Sequence, residues 1–312
     1  MSGLMLLDTP SLYFRAFFGV PESVKAPDGT PVNAVRGLVD MIARLVQDRR
    51  PDRLVCCMDA DWRPAFRVEA LPSYKAHRVA DDGGDQTPDA LEAQLPVIDA
   101  VLKAFGLAVA GVPGYEADDV IGTLAVRGAA QGPVDIVTGD RDLFQLVDER
   151  GPVQVLYTAR GIRNLQVMGE KEVAAKYGIP GRGYADYATL RGDPSDGLPG
   201  VPGIGDKTAA ALVTRFGSLE GILAALQAGT TEGFPAGARR RMEAASDYLA
   251  AAETVVKVVT GIDDPVLSGL DDRLPAEPRD PAALVALAAL ADEWNLSGPV
   301  NRLLNALAPA AS

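Results

Sequence analysis

Nine carboxylates stand where chemistry could use them. Asp8, Asp59 and Asp140 each close a short apolar run, and such runs read as buried strands. Asp142 follows two residues after Asp140. Glu116, Asp118 and Asp119 open a helical run, YEADDVIGTLA, while Asp193 and Asp196 sit in a loop that Pro194 and Gly197 keep from being helical. In an open parallel sheet the ligand crevice lies outside the carboxyl ends of the strands, so Asp8, Asp59 and Asp140 are expected to converge. Like charges brought together repel unless cations sit among them. The chain has one histidine, His77, and no cysteine cluster, which argues against zinc. All-oxygen ligation points to Mg²⁺ or Mn²⁺, two or three ions. A pair of such ions about 4 Å apart suits in-line attack on a phosphodiester. Taken singly, the acids have plainer readings: Asp140 and the Glu116 group suit helix first turns, and Asp8 and Asp59 suit turns. The coincidence of the whole set favours the metal.

A second stretch follows directly on Asp193 and Asp196. The turn Gly203-Ile204-Gly205 lets a backbone approach closely, and a helix starts at once with Lys207 and Thr208 in its first turn. Helix-start amides and a lysine make a phosphate site. The nucleoside-triphosphate loop, GxxxxGK followed by Ser or Thr, is the rival. Gly200 and Gly205 have its spacing, but Asp206 intrudes before Lys207-Thr208, and no apolar strand precedes the loop. Alone, the segment also reads as a plain helical turn.

These groups need a scaffold. Apolar runs at 3–8, 53–59 and 134–140 predict strands, with a further short one at 107–112. Helical periodicity covers 32–48, 88–105 and 115–130. Alternation of this kind implies an α/β fold, a parallel sheet with helices on its faces. Residues 153–166 read as a hairpin about Ala159-Arg160-Gly161. Beyond 168 the chain reads as helical, at 169–177, 183–191, 206–216, 218–226 and 236–252, with one late strand at 253–259. A surface loop at 266–281 precedes closing helices at 281–292 and 297–307. The division expected is a catalytic core over 1–167 and a helical region over 168–312.

Residues 61–87 are polar and irregular, and so long a connection is commonly functional. Phe66, Arg67, Tyr74, Lys75, His77 and Arg78 alternate basic and stacking groups, as single-strand binding requires; a solvated loop is the plainer alternative. Arg239-Arg240-Arg241 reads equally as a backbone contact or a solvated face.

The net charge of −12, taken at face value, argues against a nucleic-acid protein. Two or three bound divalent cations would cancel roughly four to six charges where a phosphate must approach. Hydrophobic content of 47% and charged content of 23% are globular. No apolar run approaches a membrane span and no secretory signal precedes the first strand, where Met5 is an alternative start. Cys56 and Cys57 are adjacent in a strand, so they point to opposite faces and read as buried thiols in a reducing cytoplasm.

The stretches LLDTPSLYFRAFF, AFRVEALPSYKAHR, GYEADDVIGTLA, DIVTGDRDLFQL and RGDPSDGLPGVPGIGDKTAAAL span most of residues 4–216. In this order they resemble the 5′ nucleases, the flap endonuclease-like 5′–3′ exonucleases that include the N-terminal nuclease domain of bacterial DNA polymerase I. With no polymerase region in the sequence, the chain looks like a stand-alone bacterial form. The resemblance implies a PIN-like, resolvase-like fold, a mixed, mainly parallel central sheet flanked by helices, with a helical arch at 61–105 and a helix–three-turn–helix at 198–215. It implies that Asp8, Asp59, Glu116, Asp118, Asp119, Asp140, Asp142, Asp193 and Asp196 are metal carboxylates. It places Lys75 and Arg78 on the arch helix against the scissile phosphate, has Arg67 touch phosphate, and has Tyr74 stack on a base near the cut. Gly203, Gly205, Lys207 and Thr208 would contact the duplex backbone. Val201 and Ile204 would offer main-chain oxygens to a monovalent cation such as K⁺. The implied activity is hydrolysis at 5′ ends or flaps by two ions, in replication and repair. The implied substrate is DNA with a 5′ flap, overhang or nick, with RNA-primed DNA a further one, and the expected setting is a monomer in the nucleoid-bearing cytoplasm. The sequence departs from the family at Asp8-Thr9-Pro10-Ser11, where Asp-Gly is usual. Proline removes a donor, which puts the local backbone contacts in question but not the carboxylate.

Two other classes stay open. A PIN-type metal-dependent ribonuclease would share the acids but not need the duplex clamp. A non-catalytic, structure-specific DNA-binding protein would tolerate losses from the acid set, and none is seen.

Overall fold

A computed structural model of the chain describes residues 3–80, 83–275 and 281–308. Strands β1 (Leu4–Asp8), β2 (Arg53–Cys57), β3 (Ala108–Ala110), β4 (Val134–Thr138), β5 (Val153–Tyr157) and β6 (Gln166–Met168) form one sheet in the order β3-β2-β1-β4-β5-β6. Every pairing is parallel except β5 with β6, which is antiparallel. The sheet is covered on both faces, and its central strand β1, LMLLD, is accordingly an unbroken apolar run up to Asp8. Side chains alternate between two cores. Leu4, Leu6 and Cys57 join one; Met5, Leu7 and Cys56 join the other.

The second core is closed by α1 (Thr9–Gly19), α2 (Asn33–Arg49) and, past the short α3 (Ala65–Ala70) and α4 (Asp89–Glu92), by α5 (Leu95–Ala104). The first is covered by α6 (Ala117–Ala129). It continues into α7 (Glu170–Tyr177), α8 (Tyr184–Arg191), α9 (Asp206–Phe216), α10 (Leu219–Gln227), α11 (Ala238–Ala244), α12 (Ser246–Val256) and α13 (Pro265–Ser268). The last helices, α14 (Pro281–Glu293) and α15 (Ser297–Leu307), return to the second core.

Several expected elements differ. The helix over 88–105 breaks into α4 and α5 around buried Gln94, whose Oε1 accepts the Ala34 and Val35 amides while Nε2 donates to Asn33 Oδ1. One buried amide thereby caps the start of α2, which lacks a capping side chain of its own. The helix over 236–252 is two helices, α11 and α12. The late strand at 253–259 is not formed: α12 runs to Val256, and the next residues bond to side chains rather than to a strand. The Val258 and Val259 amides donate to Gln145 Oε1 and Asp119 Oδ1, and the Val259 carbonyl accepts from Thr123. The loop over 266–281 is partly ordered by β2, since Leu54 N donates to Asp272 O and Leu274 N to Asp52 O; residues 276–280 lie outside the described residues.

The arch region also departs from a helix. Lys75 has φ 47°, and only one 3₁₀ turn, Ala76–Arg78, follows it. Residues 81 and 82 of this region lie outside the described residues.

Candidate active site

β1 and β4 are adjacent, with the strand order running away from them in both directions, and their carboxyl ends deliver Asp8 and Asp140 side by side. Asp8 caps α1: Oδ1 accepts the Ser11 amide at 3.1 Å, and Oδ2 accepts the Thr138 hydroxyl at 2.5 Å. Pro10 occupies the first turn, where its missing N–H breaks no helical bond, so the departure from Asp-Gly leaves the capping contact intact. Thr138 Oγ1 in turn accepts the Asp140 amide at 2.8 Å, and Asp140 Oδ1 accepts the Asp142 amide at 2.9 Å. From the other side, Asp59 Oδ1 accepts the Ala117 amide at 2.7 Å and so joins the end of β2 to the start of α6.

The electrostatics show how crowded these acids are. Asp8 is pushed up to about 7, first by burial and then by the charges of Asp140 and Asp59. Asp59 is open to the crevice yet surrounded by enough protein that desolvation, then Glu116, raises it to about 6. Asp118 is held well above the ordinary carboxylate range by desolvation, Asp8 and Asp140. Asp142 is raised likewise by desolvation, then by Asp140, Asp196 and Asp193. The acids thus form two sets that share Asp140: Asp8, Asp59 and Asp118 on one side, Asp142, Asp193 and Asp196 on the other.

Asp193 and Asp196 reach the crevice from the loop after α8. Asp193 Oδ1 accepts the Ser195 amide at 2.9 Å, and its other oxygen faces Arg191 at 3.4 Å and Arg141 at 3.6 Å. Segment 73–78 lies on this loop. Lys75 N donates to Asp196 O at 3.0 Å, Ser73 Oγ to Gly197 O at 2.9 Å and Arg78 Nη2 to Ser195 O at 3.0 Å. Gly197 has φ +73°, and a Cβ there would run into the Ser73 carbonyl, so only glycine permits the docking. Arg78 lies 3.6 Å from Asp196. Desolvation raises Asp196 to about 6, although Lys75 and Arg78 draw it down. The Lys75 ammonium pairs with Glu116 Oε1. Burial alone would lower its pKa, but Glu116, Asp196 and Asp118 outweigh burial and keep it charged.

Three of the expected site residues face inward instead. Arg67 is 2% exposed and bridges Glu116 at 2.6 Å and both Asp119 oxygens at 2.6 and 2.7 Å, while Nε donates to Val255 O. It therefore staples α3, α6 and α12 rather than touching a phosphate. Asp119 is fully buried, its oxygens taken by Arg67 and by the Glu116 and Val259 amides, which leaves no lone pair directed at the crevice. Tyr74 is 4% exposed, with its hydroxyl donating to Glu116 Oε2 at 2.7 Å, so its ring is not free to stack on a base. Their long-range partners, not their local sequence, dictate this.

Around the turn at 201–205, Val201 O accepts the Ile204 amide at 2.9 Å and Gly203 O accepts Arg241 at 3.2 Å. A Cβ on Gly205 would meet nothing within 4 Å, and Lys207 is exposed beside it while Thr208 is half-buried. Gly200, at φ +69°, packs directly on the Arg191 carbonyl, where a Cβ would have no room.

Sequence reasoning missed Thr138, Ser11, Arg15 and Tyr184. Arg15 lies on α1 two turns past Asp8, beside Gly139, and its Nε is buried without a partner among the described residues; so is the Tyr184 hydroxyl, next to Asp142. The (i, i+7) spacing of Asp8 and Arg15 was the available signal.

Among the described residues, no three acid, histidine or cysteine side chains are already drawn together closely enough to hold an ion. The donor chemistry nonetheless fits divalent cations. The carboxylates in the crevice raise one another's pKa, and a dication among them would lower that repulsion.

A parallel sheet with acids at the strand ends, continued by a helical region carrying a Gly-rich turn, is a resolvase-like nuclease architecture. The family description "5′-3′ exonuclease, N-terminal resolvase-like domain" matches residues 3–178, and "5′-3′ exonuclease, C-terminal SAM fold" matches 179–280. A 5′-3′ exonuclease of Streptomyces coelicolor is 58% identical over 308 residues, 97% of this chain and 99% of that one. One of Mycobacterium tuberculosis is 50% identical over 318 residues, covering 98% of each. DNA polymerase I of the same species is 43% identical over 222 residues, 70% of this chain but 24% of the polymerase. The T5 D15 protein superposes with a TM-score of 0.64 at 19% identity, over 98% of this chain and 99% of that one. The catalytic core of Rad2 superposes with 0.58 at 15%, over 98% and 92%. The chain belongs to the 5′–3′ exonuclease family.

Proposed function

We propose that the chain is a structure-specific nuclease that cuts DNA at 5′ flaps, overhangs and nicks with two Mg²⁺ or Mn²⁺ ions, and that it clears flaps or RNA primers during replication and repair. The observation that carries this reading is the convergence of Asp8, Asp59, Asp118 and Asp140 in one crevice, with Lys75 and Arg78 docked over the Asp193–Asp196 loop at its edge. Names of similar proteins support it. The T5 D15 flap endonuclease has been solved with DNA and metal ions, and the Rad2 core with DNA substrate.

Asp8, Asp59, Asp118 and Asp140 would hold one ion and Asp142, Asp193 and Asp196 a second, with Glu116 joining once Lys75 leaves it. Ions bound there would supply an activated water and charge stabilisation for the leaving oxygen. The chain's own groups do the rest. Thr138 and Ser11 fix the Asp8 oxygens, and the Ala117 amide fixes Asp59. Lys75, kept charged by its acidic neighbours, and Arg78 offset charge building on the phosphoryl oxygens. Exposed Gly205 and Lys207 leave the start of α9 open to a duplex phosphate. Val201 and Ile204 would offer carbonyls to K⁺. No single helix among the described residues is long and apolar enough to cross a membrane. The chain would work as a monomer at the nucleoid in the cytoplasm. The core over 1–167 would carry the chemistry and 168–312 the duplex grip.

The test is cleavage of 5′-labelled flap, overhang and nicked DNA beside the same structures in RNA. Short 5′ products from DNA, dependent on Mg²⁺ or Mn²⁺ and lost in Asp140→Asn or Asp142→Asn while duplex binding persists, are expected. Faster cutting of unstructured RNA, or full activity of both variants, would overturn the reading.

A further inference from the structure

A second concave surface, about 810 Å³ in volume, opens between the β5–β6 hairpin, α7, α8 and the start of α9. Five cations line it, Arg141, Arg160, Lys176, Arg191 and Lys207, against a single carboxylate, Asp206. In a chain of net charge −12 this is a local reversal of sign. Arg160, Lys176 and Lys207 are exposed, and among the described residues none of the three has an ion-pair partner.

Lys176 is held by aromatic rings, whereas Arg191 faces Asp193 at 3.4 Å and Asp206 at 3.9 Å as well as a ring, and Arg141 faces Asp193 at 3.6 Å. Lys176 Nζ lies 5.5 and 5.2 Å from the ring centroids of Tyr157 and Tyr177, and Arg191 Cζ lies 5.4 Å from that of Tyr187. A ring face fixes a cationic head without cancelling its charge, so Lys176 remains available to an anion. Asp206 is already engaged by the Tyr187 hydroxyl at 2.7 Å. With the ring faces occupied, the surface offers little for base stacking, and recognition would be of phosphate, independent of sequence.

The two ends of the groove indicate which phosphates. Arg141 adjoins Asp142 and lies 3.6 Å from Asp193, so one end meets the acid crevice. Lys207, in the first turn of α9, marks the other. We propose that this groove is a track for the phosphodiester backbone of the nucleic-acid substrate between the crevice and α9, with Arg160 and Lys176 as phosphate contacts. The proposal rests on the reading of the chain as a DNA nuclease.

The test uses the full chain, a Mg²⁺-free buffer with Ca²⁺, and fluorescently labelled flap DNA titrated between about 50 and 200 mM KCl. In Arg160→Glu/Lys176→Glu the Kd should rise about tenfold or more, and the slope of log affinity against log salt should fall by about 2, near 0.9 per lost contact. The single-turnover rate in Mg²⁺ at saturating DNA and the thermal midpoint should match wild type. Arg160→Lys/Lys176→Arg should bind as wild type does. A wild type that binds and cuts DNA, beside a double-Glu variant with the same Kd and salt slope, overturns the track alone. A wild type that neither binds nor cuts DNA overturns the functional reading and the track with it.

Discussion

Asp118 and Asp119 are neighbours on one helix, yet they live in opposite circumstances. One residue turns a helix by about 100°, which points Asp118 into the crevice and Asp119 into the protein. Asp119 and Glu116 meet protein cations: Arg67 bridges both, and Lys75 and the Tyr74 hydroxyl complete Glu116. Asp8, Asp59 and Asp118 lie in a crevice lined by further acids with no buried arginine among the described residues to pair them, and their pKa values are raised, first by burial and then by neighbouring carboxylates. The same side-chain type is therefore scaffold where the fold supplies its countercharge and site where it does not. Crowded acids left without protein countercharge are what a divalent ion requires.

The sharpest way to break that comparison is to neutralise each neighbour in turn. Asp118→Asn should lower single-turnover cleavage about 10³-fold, the several kcal/mol that charge stabilisation by an ion supplies, while the thermal midpoint of the ion-free protein holds or rises. Asp119→Asn should instead strip Arg67 of its buried partner and lose about 3–5 kcal/mol of stability, read by urea denaturation. Equal stability losses in the two variants would dissolve the distinction. Arg67→Met tests it from the other side. Two buried carboxylates would lose their main cation, with a loss of similar size and cleavage falling only as the folded fraction falls.

Lys75→Ala falls between the two classes, because Lys75 touches both Glu116 and the crevice. Its removal should slow turnover about 10²-fold with a smaller change in Kd. An unchanged single-turnover rate would make Lys75 a countercharge for Glu116 and nothing more.

These distinctions mark where the sequence stops being readable. The sheet was legible because its strands are short, largely apolar runs, and the acids that follow them are visible by position alone. Arg67 and Tyr74 were misplaced because a basic, aromatic segment looks the same whether it faces solvent or a buried acid 49 residues away. The 253–259 segment failed for a related reason: its valines have strand character, but the amides of Val258 and Val259 are met by Gln145 and Asp119 side chains. Arg15 and Thr138 escaped notice because an arginine within an apolar helix and a threonine at a strand end gain meaning only once β1 and β4 are known to be adjacent.

The smallest effect is also the most direct reading of the charge balance. Asp8 and Asp59 titrate at about 7 and about 6 in the fold, above the ordinary 3.8. Across roughly pH 4 to 7 the folded chain therefore holds more protons on these groups than the unfolded chain does. Stability must fall as pH rises through that window, so the ion-free protein should melt higher near pH 5 than near pH 8. Saturating Mg²⁺ should flatten the profile, since bound ions stabilise the charged form that high pH produces. Asp8→Asn should flatten it in part without Mg²⁺. Because these groups face the crevice, the effect should amount to a few degrees, measurable by calorimetry in chelator. An ion-free protein that instead loses stability steadily from about pH 8 to pH 5 would show its crevice acids already countercharged. Asp118 would then be no different in kind from Asp119.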